Sequence, residues 1–271
     1  GEVVWVGGKQ EGGKLGDLFA FKQDHIFKDW DDVKANANNR YDAIGELYGP
    51  AAWEALKDKA GKQPIEPGDV CWADLNNDGV INNLDRVKVG NLFPTVTGGF
   101  STTLGYKDFS LYARFDYALR HTLYNDLAAR SLGQYQGSFN IIDMVKDSWS
   151  ETNQNTDIPK FYYADQLSKK NITRSNNGLT AVDNNSSRFY EKGDYLALRE
   201  ITLTWNLPKK WINKALMSNA SVYVTGQNLF YITGYTGVSP EPAVDTTYGQ
   251  GLDNGRYPTP KTVLLGLSVT F

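Results

Sequence analysis

The most informative segment of the sequence is residues 262–271, Thr262-Val263-Leu264-Leu265-Gly266-Leu267-Ser268-Val269-Thr270-Phe271. Every odd-numbered position from 263 to 271 is apolar, whereas the even-numbered positions hold one leucine and otherwise small or polar residues. Because successive side chains of a strand point to opposite faces, this alternation predicts a β-strand with one apolar face. Taken alone, such a strand fits a soluble protein as well as a membrane protein, so the remaining strands must decide.

The same alternation recurs along the chain. Between residues 108 and 120 an apolar row opposes a face that carries Arg114, Asp116 and Arg120. This composition is typical of a strand with lipid on one side and a wet lumen on the other. Residues 95–106 alternate in the same way, and Lys107-Asp108 predicts a tight hairpin turn after them. The pattern predicts six strands, at 15–27, 95–106, 108–120, 195–207, 220–232 and 262–271.

The connections between these strands are of two kinds. The turn at 107–108 and the segment 208–218 are short, whereas the connections at 28–94, 121–193 and 233–260 are long. Short turns at one end and long loops at the other are typical of outer-membrane β-barrels. A barrel in lipid leaves no edge unpaired, and the smallest single-chain barrels have about eight strands. Six strands do not close, so we expect an all-β, antiparallel transmembrane barrel of which this chain is the carboxy-terminal portion, a fragment or one piece of a nicked polypeptide.

Composition excludes several other classes of protein. Twenty-eight basic against 31 acidic residues give a net charge of −3, which is not the basic footprint of a nucleic-acid-binding protein. Cys71 is the only cysteine, and the only histidines, His25 and His121, stand in no nucleophile motif, so we expect no enzyme. The sequence has no apolar run of about 18 residues that would predict a membrane-spanning helix. Its first residues also lack the pattern of a signal peptide.

Residues 74–85 match the 12-residue calcium loop, which wraps oxygen ligands around a single cation. The ligands that this pattern predicts are Asp74, Asn76, Asp78, the carbonyl of Val80, Asn82 and Asp85. Asp85 stands where a bidentate glutamate is usual and is one methylene shorter. The alternative is an Asn/Asp-Gly turn whose side chains bond their own backbone. Because six positions agree at once, the pattern favours a structural calcium that stiffens a long loop.

Several separated motifs together carry a family resemblance. They are Gly68-Asp69-Val70, residues 74–81, Asp85-Arg86, residues 90–94, Gly98-Gly99-Phe100, residues 194–203, residues 227–230, Tyr235-Thr236-Gly237, Pro240-Glu241, residues 251–255, Tyr257-Pro258 and residues 265–271. In order and spacing, over roughly residues 15–271, they resemble the carboxy-terminal part of a SusC/RagA-family TonB-dependent outer-membrane transporter. The set is more specific than any of its pieces.

The resemblance implies a roughly 22-stranded barrel closed by an amino-terminal plug, and the plug belongs to the part of the family pattern that is absent from this chain. It implies import of glycans or peptides across the outer membrane of a Bacteroidetes-type bacterium. It also implies a SusD-like surface lipoprotein as a lid and energy from the TonB complex acting through the plug. In the family the terminal strand is the signal for membrane insertion, which would give this role to Val263, Leu265, Leu267, Val269 and Phe271.

Loop aromatics and polar strand residues are the candidates for substrate contact, since an aromatic face covers a sugar ring or a peptide side chain. The aromatic candidates are Tyr135, Phe139, Trp149, Tyr162, Tyr163, Tyr235 and Tyr248. The strand candidates are Arg114, Asp116 and Arg120, for which an ion-pair ladder along the inner wall is the alternative. The rival for the whole chain is a soluble, calcium-stabilised β-sandwich that binds carbohydrate. A sandwich would bury its apolar rows in one shared interior, whereas a barrel would turn them outward to lipid.

Overall fold

The structure is a computed structural model that describes residues 5–6, 9–36, 66–77, 81, 83–134, 141–161, 186–241, 251–253, 255 and 257–271. In those residues, no helix has the length and apolar character needed to cross a membrane. The chain divides into two compact units, which we call the loop unit (Gly1–Leu92, Thr122–Glu191 and Val244–Gly255) and the strand unit (Phe93–His121, Lys192–Ala243 and Arg256–Phe271).

Strands are the main secondary structure of the described residues. In chain order the strands are β1 (Trp5–Val6), β2 (Lys9–Gln10), β3 (Asp17–Phe21), β4 (Gln23–Ile26), β5 (Val70–Trp72), β6 (Arg86–Asn91), β7 (Val96–Tyr106), β8 (Phe109–Leu119), β9 (Thr122–Asn125), β10 (Tyr190–Lys192), β11 (Tyr195–Asn206), β12 (Asn219–Thr233), β13 (Leu252–Asp253) and β14 (Thr262–Thr270). Short α-helices lie at Trp30–Ala35, Asp126–Ala129 and Lys209–Ile212. Single turns of 3₁₀ helix lie at Asn83–Asp85, Asp143–Asp147, Ser187–Phe189 and Asn213–Ala215, and a π-helical turn lies at Arg130–Gln134.

The strand unit is built on one antiparallel sheet, which we call the main sheet. Within the described residues its order is β14-β12-β11-β8-β7. β7 and β8 form a hairpin in unbroken register from Val96↔Leu119 to Tyr106↔Phe109. The turn is tight because Lys107 adopts a left-handed backbone conformation, with φ of 52°. These strands occupy nearly the same ranges as five of the six alternating segments in the sequence.

The apolar positions of the five strands are in register across the main sheet. One apolar row joins neighbouring strands through Leu265, Val224, Leu203, Leu111 and Leu104. The row is exposed: Leu265 is 80% exposed and Leu104 is 60% exposed. A β-sandwich would bury such a row in its interior, so the exposure of this face opposes the soluble alternative.

The loop unit has its own hydrophobic core. One cluster of buried side chains consists of Phe21, Ile26, Val70, Trp72, Ile81 and Trp149. A second consists of Tyr124, Ala129, Leu132, Ile158 and Phe189, and a third of Phe27, Val33 and Cys71. The segments predicted as long loops therefore contain short strands, helical turns and a packed interior of their own in the residues that the structure describes.

Residues 15–27, predicted as one strand of the barrel, form two short strands of the loop unit instead. β3 pairs with β6 and β4 pairs with β5, so neither joins the main sheet. Phe19, Ala20 and Phe21 are consecutive and all buried, which means that β3 is covered on both faces. A strand of a barrel wall has one lipid face and one lumen face, and alternation over so few residues does not identify its partner strand.

Candidate functional site

A β-bulge in the main sheet creates a cluster of polar side chains among the described residues of the strand unit. The pairing of β11 with β8 runs from Leu198↔Phe115 directly to Glu200↔Arg114, so Arg199 is an extra residue without a pairing partner on β8. On the other side of β11 the register also shifts between Leu198 and Glu200. Because one residue is inserted, the apolar positions change from even-numbered Leu198 to odd-numbered Ile201 while they stay on one face.

The bulge brings the Arg199 guanidinium to the polar face, where it contacts side chains from three segments. Its Nε donates to Oδ2 of Asp116 on β8 at 2.7 Å. Its Nη2 lies 2.5 Å from Oε1 of Glu241, and its Nη1 donates to the hydroxyl of Tyr231 on β12 at 3.2 Å. The Tyr231 hydroxyl in turn donates to Oε1 of Glu241 at 2.9 Å. We call these four residues the Arg199 cluster.

Burial makes the Arg199 cluster stronger than an ordinary surface ion pair. The Arg199 side chain is only 16% exposed, while those of Asp116 and Glu241 are 42% and 33% exposed. Its guanidinium carbon lies 5.7 Å from the centre of the Tyr231 ring, and Tyr195 packs edge-on against the same ring at 5.8 Å. The cluster thus fixes Glu241, and with it the start of the connection after β12, to the sheet formed by β8, β11 and β12.

Two threonine hydroxyls and a second guanidinium extend the polar face beyond the Arg199 cluster. Thr202 on β11 and Thr225 on β12 face each other, and their hydroxyls are 2.8 Å apart. Arg114 on β8 pairs across the sheet with Glu200 and is exposed. In the part of the chain that the structure describes, Arg114 forms no salt bridge. Arg114 is therefore an exposed charged group of this face without an ion-pair partner among the described residues.

The strand candidates from the sequence fall in two places. Asp116 belongs to the Arg199 cluster, and Arg114 lies on the same face one strand position further along. Arg120 lies past the end of β8, where a left-handed backbone (φ 64°) directs its N–H to Oδ1 of Asp194 at 2.5 Å. Sequence reasoning named no role for Arg199. The signal was present, because apolar residues change from positions 196 and 198 to 201, 203 and 205 at this point.

The described aromatic candidates are both buried. The Trp149 ring lies in the first core cluster of the loop unit, and its Nε1 donates to the carbonyl of Lys28 at 3.2 Å. Tyr235 is 7% exposed. Neither ring presents an open face for stacking on a ligand, and the geometry assigns both to packing. Tyr135, Phe139, Tyr162, Tyr163 and Tyr248 lie outside the described residues.

The calcium-type loop is described only in part. Asp74, Asn76 and Asp85 are described, whereas Asp78, Val80 and Asn82 lie outside the described residues. Asp85 is fully buried, and its Oδ1 accepts a hydrogen bond from the N–H of Leu75 at 2.9 Å, which brings the two ends of the loop together. Ile81 is 1% exposed and belongs to the first core cluster. Among the described residues, no group of three or more His, Cys, Asp or Glu side chains is placed to hold a metal ion.

The last strand presents its apolar side chains to the outside. Val263 and Leu267 are 71% and 65% exposed, and Phe271 is 86% exposed. On the opposite face the Tyr223 ring lies over Gly266, where a Cβ atom would overlap the ring. β14 is thus held to β12 by backbone pairing and by this ring, and its apolar face is left open.

Comparison with known proteins finds three related proteins. No protein-family model matches it. It is 31% identical over 243 residues to TonB-dependent receptor P3 of Formosa agariphila, a match that covers 85% of this chain and 22% of the receptor. It is 31% identical to TonB-dependent receptor P26 of the same organism, over 78% of this chain and 20% of the receptor. It is 25% identical to TonB-dependent receptor SusC of Bacteroides thetaiotaomicron, over 97% of this chain and 23% of SusC.

The fold has relatives among solved structures. The chain superposes on a structure of the RagAB peptide transporter with a TM-score of 0.58 at 24% identity, covering 75% of this chain and 21% of that chain. The RagAB peptide importer in its open-open state gives a TM-score of 0.55 over the same shares. The chain spans about a fifth of the length of the relatives that it matches. Its motifs, its main sheet and these matches together identify it as a member of the SusC/RagA family of TonB-dependent transporters.

Proposed function

We propose that this chain is part of a TonB-dependent importer of the outer membrane, and that the main sheet is a segment of its plugged, roughly 22-stranded barrel wall. The observation that carries the proposal is the two-sided character of the main sheet. Apolar rows that are in register over neighbouring strands lie open on one face, and the Arg199 cluster lies on the other. Lipid solvates the first kind of face, and water and cargo solvate the second.

Transport, and not catalysis, is the activity that this arrangement supports. The cargo is a glycan or a peptide, and a SusD-like surface lipoprotein closes the importer from outside. Relatives named as TonB-dependent receptors and the fold shared with the RagAB peptide transporter support this proposal. On the polar face, the exposed guanidinium of Arg114 is a group available to a passing cargo, while the salt bridge between Arg199 and Asp116 holds β11 to β8.

We also propose that residues 74–85 bind a structural calcium ion. Support comes from the fully buried carboxylate of Asp85 at the closing position of the loop and from Ile81 in the core at position 8. A calcium ion takes six to eight oxygen ligands, and the carboxylates and amides of this loop are ligands of that kind. Its part would be to stiffen the loop unit.

The membrane placement is tested by paired cysteine substitutions in β7 of the intact transporter. Leu104 and Thr103 are adjacent, both exposed, and point to opposite faces. We expect a fluorophore on Leu104→Cys to be quenched by brominated lipid, and one on Thr103→Cys to be quenched by aqueous iodide. Equal quenching by iodide at both positions would contradict the barrel.

The transport function is tested by purifying the intact protein from native outer membrane under mild detergent, with mass spectrometry of the complex and of any bound small molecule. We expect a SusD-like lipoprotein and an oligosaccharide or peptide in the same particle. A soluble species that carries neither would refute the importer and restore the carbohydrate-binding sandwich as the leading account.

A further inference from the structure

The end of the strand unit that carries the short connections is basic and aromatic, and neither property is used by the proposed transport path. We call this end the short-turn rim and define it as the turn Lys107-Asp108 and the segment 207–218. It contains Lys107, Lys209, Lys210 and Lys214 against a single acidic residue, Asp108. All four lysines are exposed.

These lysines have no acidic partners in the described part of the chain. None of the four forms a salt bridge there, and the Lys107 ammonium instead lies 5.3 Å from the centre of the Tyr106 ring. Lysines that stay unpaired on a chain with 31 acidic residues leave a local excess of three positive charges at this rim. Such an excess attracts an anionic partner over about one Debye length.

An aromatic row lies directly beside the lysines. Tyr106, Phe109 and Trp205 are neighbours across β7, β8 and β11, and the rings of Phe109 and Trp205 stack with centroids 6.0 Å apart. Trp211, from the short helix of the rim, packs edge-on against Trp205 at 5.9 Å and is 57% exposed. Amphipathic aromatic rings favour the level of the lipid headgroups, with their apolar body toward the hydrocarbon.

The aromatic row is continuous with the exposed apolar face. Trp205 pairs with Val222 on β12, and Val222 pairs with Leu267 on β14, so the row continues as aliphatic side chains. In the rim itself Leu216 is 88% exposed. Along β7, apolar Leu104 is followed by the ring of Tyr106 and then by the ammonium group of Lys107. One leaflet of a bilayer presents the same order of environments, from the acyl chains through the interface to the phosphates.

We propose that the short-turn rim binds anionic phospholipid, with the phosphates held by Lys107, Lys209, Lys210 and Lys214 and the acyl chains against the aromatic row. The inference rests on the proposed membrane placement of the main sheet, and adds a lipid preference that a barrel wall alone does not require. The segment 207–218 is the connection between two wall strands, so lipid bound there fixes the depth of the barrel in the leaflet that faces the short turns.

The test uses the intact transporter in detergent, titrated with phosphatidylglycerol or with phosphatidylcholine, with retained lipids counted by native mass spectrometry. The rim variant is Lys107→Gln/Lys209→Gln/Lys210→Gln/Lys214→Gln. Its matched control removes four exposed lysines of the loop unit, as Lys14→Gln/Lys22→Gln/Lys28→Gln/Lys146→Gln. Both variants change the net charge equally, so a general charge effect cancels.

We expect the wild type and the control to prefer phosphatidylglycerol by about tenfold or more, since each basic residue near a lipid surface strengthens the binding of anionic lipid severalfold. The rim variant should lose this preference and still retain phosphatidylcholine. Replacement of the same four lysines by arginine should restore the preference, which separates loss of charge from loss of fold.

Two results would overturn the proposal. One is an unchanged preference in the rim variant, and the other is a wild type that retains both lipids equally while its Leu104→Cys label is quenched by brominated lipid. In both cases the membrane placement stands and the lipid site is wrong. Failure of the label to meet lipid at all would instead refute the membrane placement itself, and with it this inference.

Discussion

The guanidinium of Arg199 on β11 lies 2.7 Å from the carboxylate of Asp116 on β8, although the two residues are not paired in the register of the sheet. The contact exists because Arg199 is the inserted residue of the bulge. Its side chain therefore reaches a neighbour that regular pairing would have given to Ala197. The one inserted residue thus places a cation between Asp116 and Glu241 on the polar face of the main sheet.

Loss of this cation should destabilise the strand unit. Arg199→Gln leaves two carboxylates close together without their shared donor, so we expect the free energy of unfolding to fall by about 1–3 kcal/mol. Arg114→Gln is the matched control, because Arg114 lies on the same face and forms no salt bridge among the described residues; its effect should stay within about 0.5 kcal/mol. Urea unfolding of the intact protein in lipid vesicles measures both. Equal effects of the two substitutions would contradict the structural role of the Arg199 cluster.

Gly266 should not tolerate a larger residue, because the neighbouring ring of Tyr223 leaves no room for a side chain there. A Cβ atom at this position would overlap the ring of Tyr223, so Gly266→Ala forces the ring off the strand and should cost about 1–3 kcal/mol. Gly105 lies on the same cross-strand row and has open space around it, which makes Gly105→Ala the control. The double variant Gly266→Ala/Tyr223→Ala should regain part of the loss. If Gly266→Ala and Gly105→Ala unfold at the same denaturant concentration, the ring does not cover the glycine.

Calcium should protect the loop unit. We expect added calcium to slow proteolysis of the loop unit and a chelator to reverse this, because ligand binding to the folded state alone stabilises that state. Asp85→Asn should abolish the response to calcium, whereas Asp143→Asn, at an exposed position, should keep it. The rate of limited proteolysis with and without calcium is the measurement. A calcium response that survives in Asp85→Asn would leave the Asn/Asp-Gly turn as the correct interpretation of residues 74–85.

Asp17 should make the loop unit sensitive to acid. Burial alone would raise the pKa of Asp17, but hydrogen bonds from Lys88 at 2.7 Å, Asn91 at 2.8 Å and the N–H of Lys14 at 2.9 Å outweigh it and lower that pKa. A lowered pKa in the folded state gives stability that is complete above the unfolded pKa, near pH 4, and is lost as the pH falls through the folded pKa.

The check compares the thermal midpoints of wild type and Asp17→Asn across acidic pH. The wild type should have the higher thermal midpoint above about pH 4, and the difference between the two midpoints should shrink as the pH falls below that value. Lys88→Gln removes one of the donors to Asp17. In that background, the difference between the proteins with and without the Asp17 carboxylate should be lost at a higher pH. Parallel curves for wild type and Asp17→Asn would show that the hydrogen bonds do not favour the charged carboxylate.

Alternation alone was sufficient to predict the strands of the main sheet, because each of them has one face in a single environment from end to end. The hairpin of β7 and β8 was predictable for the same reason, together with the short Lys107-Asp108 turn. β3 was assigned to the wrong sheet, since Leu18 to Phe21 are consecutive apolar residues and a strand covered on both faces carries no periodic signal.

The candidate site was only half predictable. Asp116 and Arg114 stand out as charges on the polar face of an alternating strand. Arg199 acts through a contact between strands that are 83 residues apart in the chain, and no local pattern specifies that distance. Trp149 and Tyr235 were chosen as aromatic residues in long loops, but a loop long enough to fold on itself needs large side chains for its own interior.

The bulge at Arg199 also determines which insertions and deletions β11 tolerates. Without Arg199, residues 196–206 would alternate regularly, with Leu198 and Ile201 on the apolar face and Glu200 between them on the polar face. Deletion of any other residue of β11 would instead shift the part of the strand on one side of the deletion by one residue. The apolar side chains of that part would then point to the polar face. In homologous transporters, a length difference of one residue in this strand should therefore fall at the position of Arg199, and the chains that lack it should also lack a carboxylate at the position of Glu241.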